Sequence, residues 1–124
     1  MSEITGLLHA GLLIADVARA RAFYESVLGL RSVARPDLPY PGVWYDVGAG
    51  QQLHLMALPN PEAGAARPAH GGRDRHVALG VTDLAALRQR LEHAGVGVTM
   101  SRSGRPALFC RDPDDNALEF IELG

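Results

Sequence analysis

Apolar and polar positions along the chain follow a pattern that occurs twice. From His9 the chain reads HAGLLIADVARARAFYESVLGL, and from His76 it reads HVALGVTDLAALRQRLEHAGV. Each copy opens on a histidine, runs through an apolar, strand-like stretch and reaches an aspartate, Asp16 or Asp83. A helical period follows. Val17, Ala20, Phe23, Tyr24, Val27 and Leu28 share one face in the first copy, and Leu84, Leu87, Leu91 and Ala94 in the second. An aspartate at such a boundary caps the orphan N–H groups of a helix's first turn. Gly29 and Gly95 stand where each helix stops.

Three extended segments are expected after each helix: Arg31–Ala34, Val43–Val47 and Gln52–Leu58, then Val98–Ser101, Ala107–Arg111 and Ala117–Leu123. The last two of each set are joined by turn-forming residues, Gly48-Ala49-Gly50 and Asp112-Pro113-Asp114-Asp115-Asn116. Each copy therefore reads β-α-β-β-β, and the fold class is α+β. The expectation is a single domain over residues 1–124, with module one at about 5–58 and module two at about 74–124. Residues 59–73, rich in Pro, Gly and Ala with no apolar period, read as a linker or lid.

Composition narrows the function classes. Hydrophobic residues make up 47% and charged residues 21%, which suits a globular domain. The formal net charge of −2 argues against a nucleic-acid partner, which needs a basic face. All basic residues are arginine, so no lysine Schiff base or lysine general base can form. No apolar run is long enough for a membrane span, and the first residues lack the pattern of a secretory signal. With Cys110 as the one cysteine, more simply a buried apolar residue than a nucleophile, the expectation is a cytoplasmic protein.

Histidine carries the candidate chemistry. Residues two apart on a strand share a face, so His9 lies with Gly11 and Leu13, and His76 with Ala78 and Gly80. Small neighbours leave room for a ligand. The final strand of each copy has one polar interruption, His54 in the first and Glu119 in the second. An ionised glutamate among apolar residues is costly unless it is paired or binds a metal, and an ion pair with Arg105 or Arg75 is the alternative. The repeat is expected to bring the four positions to a shared centre. There His9, His76 and Glu119 would form a two-histidine, one-carboxylate core for a divalent ion. Arg73, Arg102 and Arg105 flank the expected pocket as candidates for holding an anionic substrate group. Of Trp44 and Tyr45, one enters the pocket and the other packs under the first helix. His70 and His93 are expected to be solvated.

The repeated modules, the FYESVLGL phrase (Phe23 to Leu30) and the closing F-x-R-D-P-D-x-N-x-L-E-F phrase (Phe109 to Phe120) resemble the vicinal oxygen chelate superfamily. That group includes glyoxalase I, methylmalonyl-CoA epimerase, extradiol dioxygenases, fosfomycin-resistance enzymes and bleomycin-binding proteins. The resemblance implies a partly open, mixed β-barrel around a metal-binding cleft. It implies His9, His54, His76 and Glu119 as ligands of Zn, Ni, Co, Mn or Fe, and association as a homodimer, with exchange of modules between chains left open. It also implies a small substrate with vicinal oxygens, handled through a metal-stabilised enediolate, with Glu119 or a metal-bound water moving the proton; Arg73, Arg105 and Trp44 are candidate substrate contacts from their positions beside the expected pocket. A dioxygenase using Fe(II) or Mn(II), and a drug-sequestering protein without chemistry, are the alternatives. The chain departs from the subfamilies in particular ways. Histidine stands at position 54 where glyoxalase I has glutamate and the epimerases glutamine; the lysine of fosfomycin transferases is missing; and Asp115 occupies a turn position usually held by Gly.

Overall fold

The structure is a computed structural model and describes residues 2–124. It consists of β1 (His9–Leu13), α1 (Val17–Arg21), β2 (Arg31–Val33), β3 (Gly42–Asp46), β4 (Gln52–Met56), β5 (His76–Val81), α2 (Leu84–His93), β6 (Thr99–Met100), β7 (Ala107–Arg111) and β8 (Ala117–Glu122). The strands form two four-stranded mixed sheets, ordered β1-β4-β3-β2 and β5-β8-β7-β6. In both, the first and last strands of the module run parallel and the remaining pairs are antiparallel. The sheets are not closed into a barrel, so the expected α+β fold with a partly open sheet arrangement is what the chain adopts.

Local chemistry accounts for the boundaries. The Asp16 carboxylate accepts from the Arg19 N–H and the Asp83 carboxylate from the Ala86 N–H, so both helices begin where the repeat places an aspartate. Gly29 and Gly95 end them at φ of 80° and 78°. The first helix departs from the expected α-helical period: after Arg21 it widens into a π-helical turn, Ala22–Val27. That turn carries two adjacent aromatics, Phe23 and Tyr24, both buried, with Tyr24 fully enclosed. β6 is shorter than expected, at Thr99–Met100 only.

Alternation decides which face becomes core. Val43, Tyr45, Leu53 and Leu55 of the first sheet and Leu108, Cys110, Leu118 and Phe120 of the second are buried with Phe23, Tyr24, Leu87 and Leu91. Enclosing each large side chain contributes about 1.5–3 kcal/mol. The opposite face of the first sheet carries half-buried Trp44 and His54, whereas in the second Ala107, Phe109, Ala117 and Glu119 of that face are buried too. A polar lock holds the modules together on the core side. The buried Asp112 carboxylate accepts from the Tyr24 hydroxyl at 2.7 Å, and from the Asp114 N–H, the Asn116 N–H and the Asn116 amide in its own turn. The Asn116 amide also donates to the Leu13 carbonyl at 2.9 Å. Asp115 sits at φ 66°, the left-handed conformation that explains why Gly suits this position.

The segment 59–73 is tied down. Arg67 and Arg111 both pair with the Asp74 carboxylate, at 2.7 and 2.9 Å, and Arg111 also donates to the Pro68 carbonyl. A short 3₁₀ turn, Gly71–Arg73, lies on the second sheet, where a Cβ at Gly71 would stand 3.4 Å from Phe109 and Ala117. No helix among the described residues is long and apolar enough to cross a membrane.

Candidate functional site

The strand register places the polar interruptions at equivalent positions in the two sheets. In the first, His54 lies between Gly11 of β1 and Trp44 of β3, with His9 one row away beside Gln52. In the second, Glu119 lies between Ala78 of β5 and Phe109 of β7, with His76 one row away beside Ala117. The small residues on β1 and β5 are those expected beside the histidines. Of the two aromatics on β3, Trp44 belongs to the site face. Tyr45 is fully buried below it, with its hydroxyl donating to Glu25 at 2.8 Å.

The first pair is a stack. The Trp44 and His54 rings lie 3.7 Å apart and nearly parallel, and the His9 ring stacks on His54 at 4.2 Å. His54 Nε2 is 2.8 Å from the Gln52 side-chain oxygen. Burial lowers the basicity of His54, and the neighbouring His9 and the Arg35 cation lower it further. His54 is therefore held toward the neutral form that ligates metals.

The second pair is more deeply set. His76 Nδ1 donates to the Asp74 carbonyl at 2.8 Å, which orients the ring and turns Nε2 into the site. That nitrogen faces Glu119 Oε1 at 3.3 Å. Glu119 is 2% exposed, and its other oxygen accepts from Arg105 Nη2 at 3.2 Å. Arg105, expected at the rim as a substrate contact, is thus engaged with the glutamate. Arg75 instead pairs with Glu62. Arg73 is exposed at the end of the 3₁₀ turn, and Arg102 is exposed on the β6–β7 loop.

The four expected ligands form two pairs rather than one cluster. Among the described residues, no group of three or more His, Cys, Asp or Glu side chains is placed to hold a metal ion. His70 also differs from expectation: it rests edge-on against Phe109 at 4.8 Å, with Nδ1 2.9 Å from the Thr99 hydroxyl. His93 is exposed and Cys110 is buried, both as expected, and burial pushes the Cys110 thiol up to about 12.

Sequence reasoning passed over Arg35. It follows Val33, which pairs with Trp44, by two residues, so the hairpin register carries it opposite Gly42 on the Trp44 face. A Cβ at Gly42 would stand 3.1 and 3.2 Å from its Nη2 and Nε. The signal was present in the phase of the strand but masked by the Pro-rich loop that follows.

A family model for the Glyoxalase/Bleomycin resistance protein/Dioxygenase superfamily matches residues 6–120. The chain is 30% identical over 124 residues to a lactoylglutathione lyase of Haemophilus influenzae, covering 94% of this chain and 91% of that protein. It is 30% identical over 126 residues to an ethylmalonyl-CoA/methylmalonyl-CoA epimerase of Cereibacter sphaeroides, covering 93% of each. A glyoxalase family protein from Bacillus anthracis shares the fold with a TM-score of 0.79 at 23% identity, covering 100% of this chain and 99% of that one. The duplicated modules, the paired site faces and these likenesses agree: the chain belongs to the glyoxalase/bleomycin resistance protein/dioxygenase superfamily.

Proposed function

We propose that this protein is a metal-dependent, glyoxalase-like enzyme of lyase or isomerase type. It moves a proton between adjacent carbons of a small substrate with vicinal oxygens, through an enediolate. The observation that carries this reading is the His76–Glu119 pair, an imidazole nitrogen 3.3 Å from a buried carboxylate oxygen. A proton or a metal ion between these two atoms would satisfy both, and a backbone carbonyl on the other ring nitrogen is the usual support for a ligating histidine. The donor chemistry of His9, His54, His76 and Glu119 fits a divalent ion, Zn, Ni, Co, Mn or Fe.

One chain carries these donors as two pairs, and β1 and β5 are each the outer strand of their sheet. We therefore assign the complete set to a homodimer in which the first pair of one copy meets the second pair of the other. When bound, the ion supplies Lewis acidity to the two substrate oxygens. Glu119 takes the proton from one carbon and returns it to the next. Arg105 holds one oxygen of Glu119 so that the other stays turned toward His76. The rings of Trp44 and Phe109, at matching places in the two modules, wall the pocket and limit water at the reacting carbons. The names of the relatives, a lyase and an epimerase, support this reading over the dioxygenase alternative. A cytoplasmic location belongs to the same reading.

The test is metal analysis of the purified protein followed by assay with methylglyoxal–thiol adducts. Turnover with at least one of Ni, Co, Zn or Mn is expected. Its absence with all four overturns the reading.

A further inference from the structure

Three arginines of the described chain are half-buried: Arg35, Arg67 and Arg111. Arg67 and Arg111 share the Asp74 carboxylate, while Arg35 has no carboxylate partner among the described residues. Its Nη2 donates to the Tyr40 carbonyl at 2.7 Å and its guanidinium lies over the Tyr40 ring, 5.2 Å from the centroid. Its Nε is buried and makes no hydrogen bond. A half-buried guanidinium held by a carbonyl and an aromatic ring, but by no carboxylate, keeps its charge free to meet an anionic ligand. Gly42 makes the placement possible, because any side chain there would meet the Leu55 carbonyl and press on the guanidinium.

We propose that Arg35 is an anion subsite that receives a carboxylate or phosphate at the far end of the substrate. The assignment rests on the reading above and deepens it, since it names a charged substrate. Arg35 lies one row along the site face from Trp44 and His54, about 7 Å at the usual strand rise. A substrate whose vicinal oxygens sit at the histidines would reach it with a charged group a few bonds away. A planar guanidinium anchored through Nη2 holds its accessible N–H donors in a fixed plane, which suits both oxyanions.

Trp44 is the single tryptophan, and its fluorescence reports binding without any turnover. The full-length chain is titrated with 2-hydroxyglutarate, with its terminal amide and with the matching terminal phosphonate, in the presence of Zn. At least one charged probe is expected to bind about 10- to 100-fold more tightly than the amide. The preference between carboxylate and phosphonate identifies the natural group. Arg35→Met should weaken the favoured charged probe by a similar factor and leave the amide unchanged. Equal binding of all three probes to the unaltered protein overturns the subsite alone, and so does an equal loss for all three in Arg35→Met. The comparison of probes on the unaltered chain stands even if the variant folds poorly. If no probe binds, the subsite falls, while turnover of methylglyoxal–thiol adducts decides the proposed function separately.

Discussion

Glu119 has two neighbours with opposite demands. Arg105 stabilises its charge from the solvent side, while Nε2 of His76 offers nothing to a carboxylate unless a proton or metal ion comes between. Glu119→Gln keeps the shape and should reduce turnover by about 10²–10⁴-fold, the span expected for a positioned general base, with circular dichroism unchanged. Arg105 competes with a bound cation for the same carboxylate. Arg105→Ala should therefore raise metal affinity, by less than about fivefold because the side chain is half exposed and such pairs are weak; calorimetric titration reads this directly. His54 has a definite pH signature. Its basicity in the folded chain lies below the ordinary 6.5, so as pH falls through 6.5 the unfolded chain takes up that proton first and stability declines. Urea unfolding at pH 7.5 and 5.5 should show the loss, and His54→Gln should reduce it. The residue identities at this scale were legible in the sequence, because a polar side chain in an apolar strand announces itself. The choice between Trp44 and Tyr45 was not: alternation separates their faces, but only packing under the first helix decides that the Tyr45 hydroxyl goes inward to Glu25.

At the scale of elements, the repeat located both helices and nearly every strand, because aspartate caps, terminal glycines and turn clusters act locally. What it missed depends on distant partners. The π-helical widening places Phe23 and Tyr24 side by side in the core, and the Tyr24 hydroxyl then finds Asp112 in the other module. No period within the helix encodes that contact. Tyr24→Phe leaves Asp112 without one of its donors in a buried place and should cost about 1–3 kcal/mol in urea unfolding. The segment 59–73 looked structureless for a similar reason: its anchor, Asp74, lies outside it. The hydrogen bond from Arg67 and that from Arg111 hold the Asp74 carboxyl down at about 2, against 3.8 unperturbed. This contribution to stability is present above pH 3.8 and is lost as pH falls toward 2. At neutral pH, Asp74→Asn should loosen the segment, seen as faster amide hydrogen exchange across residues 59–73.

For the whole molecule, duplication explains why two half-sites exist and why one chain does not join them. A period in the sequence places His9 with His54 and His76 with Glu119, since those relations lie within a sheet. It says nothing about how two sheets, or two chains, face each other. The arrangement proposed above makes a firm demand. A chain lacking His9 and His54 is mixed with one lacking His76 and Glu119, under conditions that allow exchange. A site shared between copies restores metal binding to about a quarter of the unaltered level, because each mixed dimer regains one whole set. A site contained within one chain restores none.

Equivalent register positions filled by different residues also have a consequence for the product. In the dimer proposed above, His54 with Trp44 would form one wall of the pocket and Glu119 with Phe109 the other. Under the proposed mechanism, only the second wall can deliver a proton. A planar carbon held between them is protonated from one side, so the product is a single enantiomer, and reaction in deuterated water places the label on one prochiral face. The unlike residues at one repeated position would thus give an otherwise near-symmetric pocket its stereochemical sense.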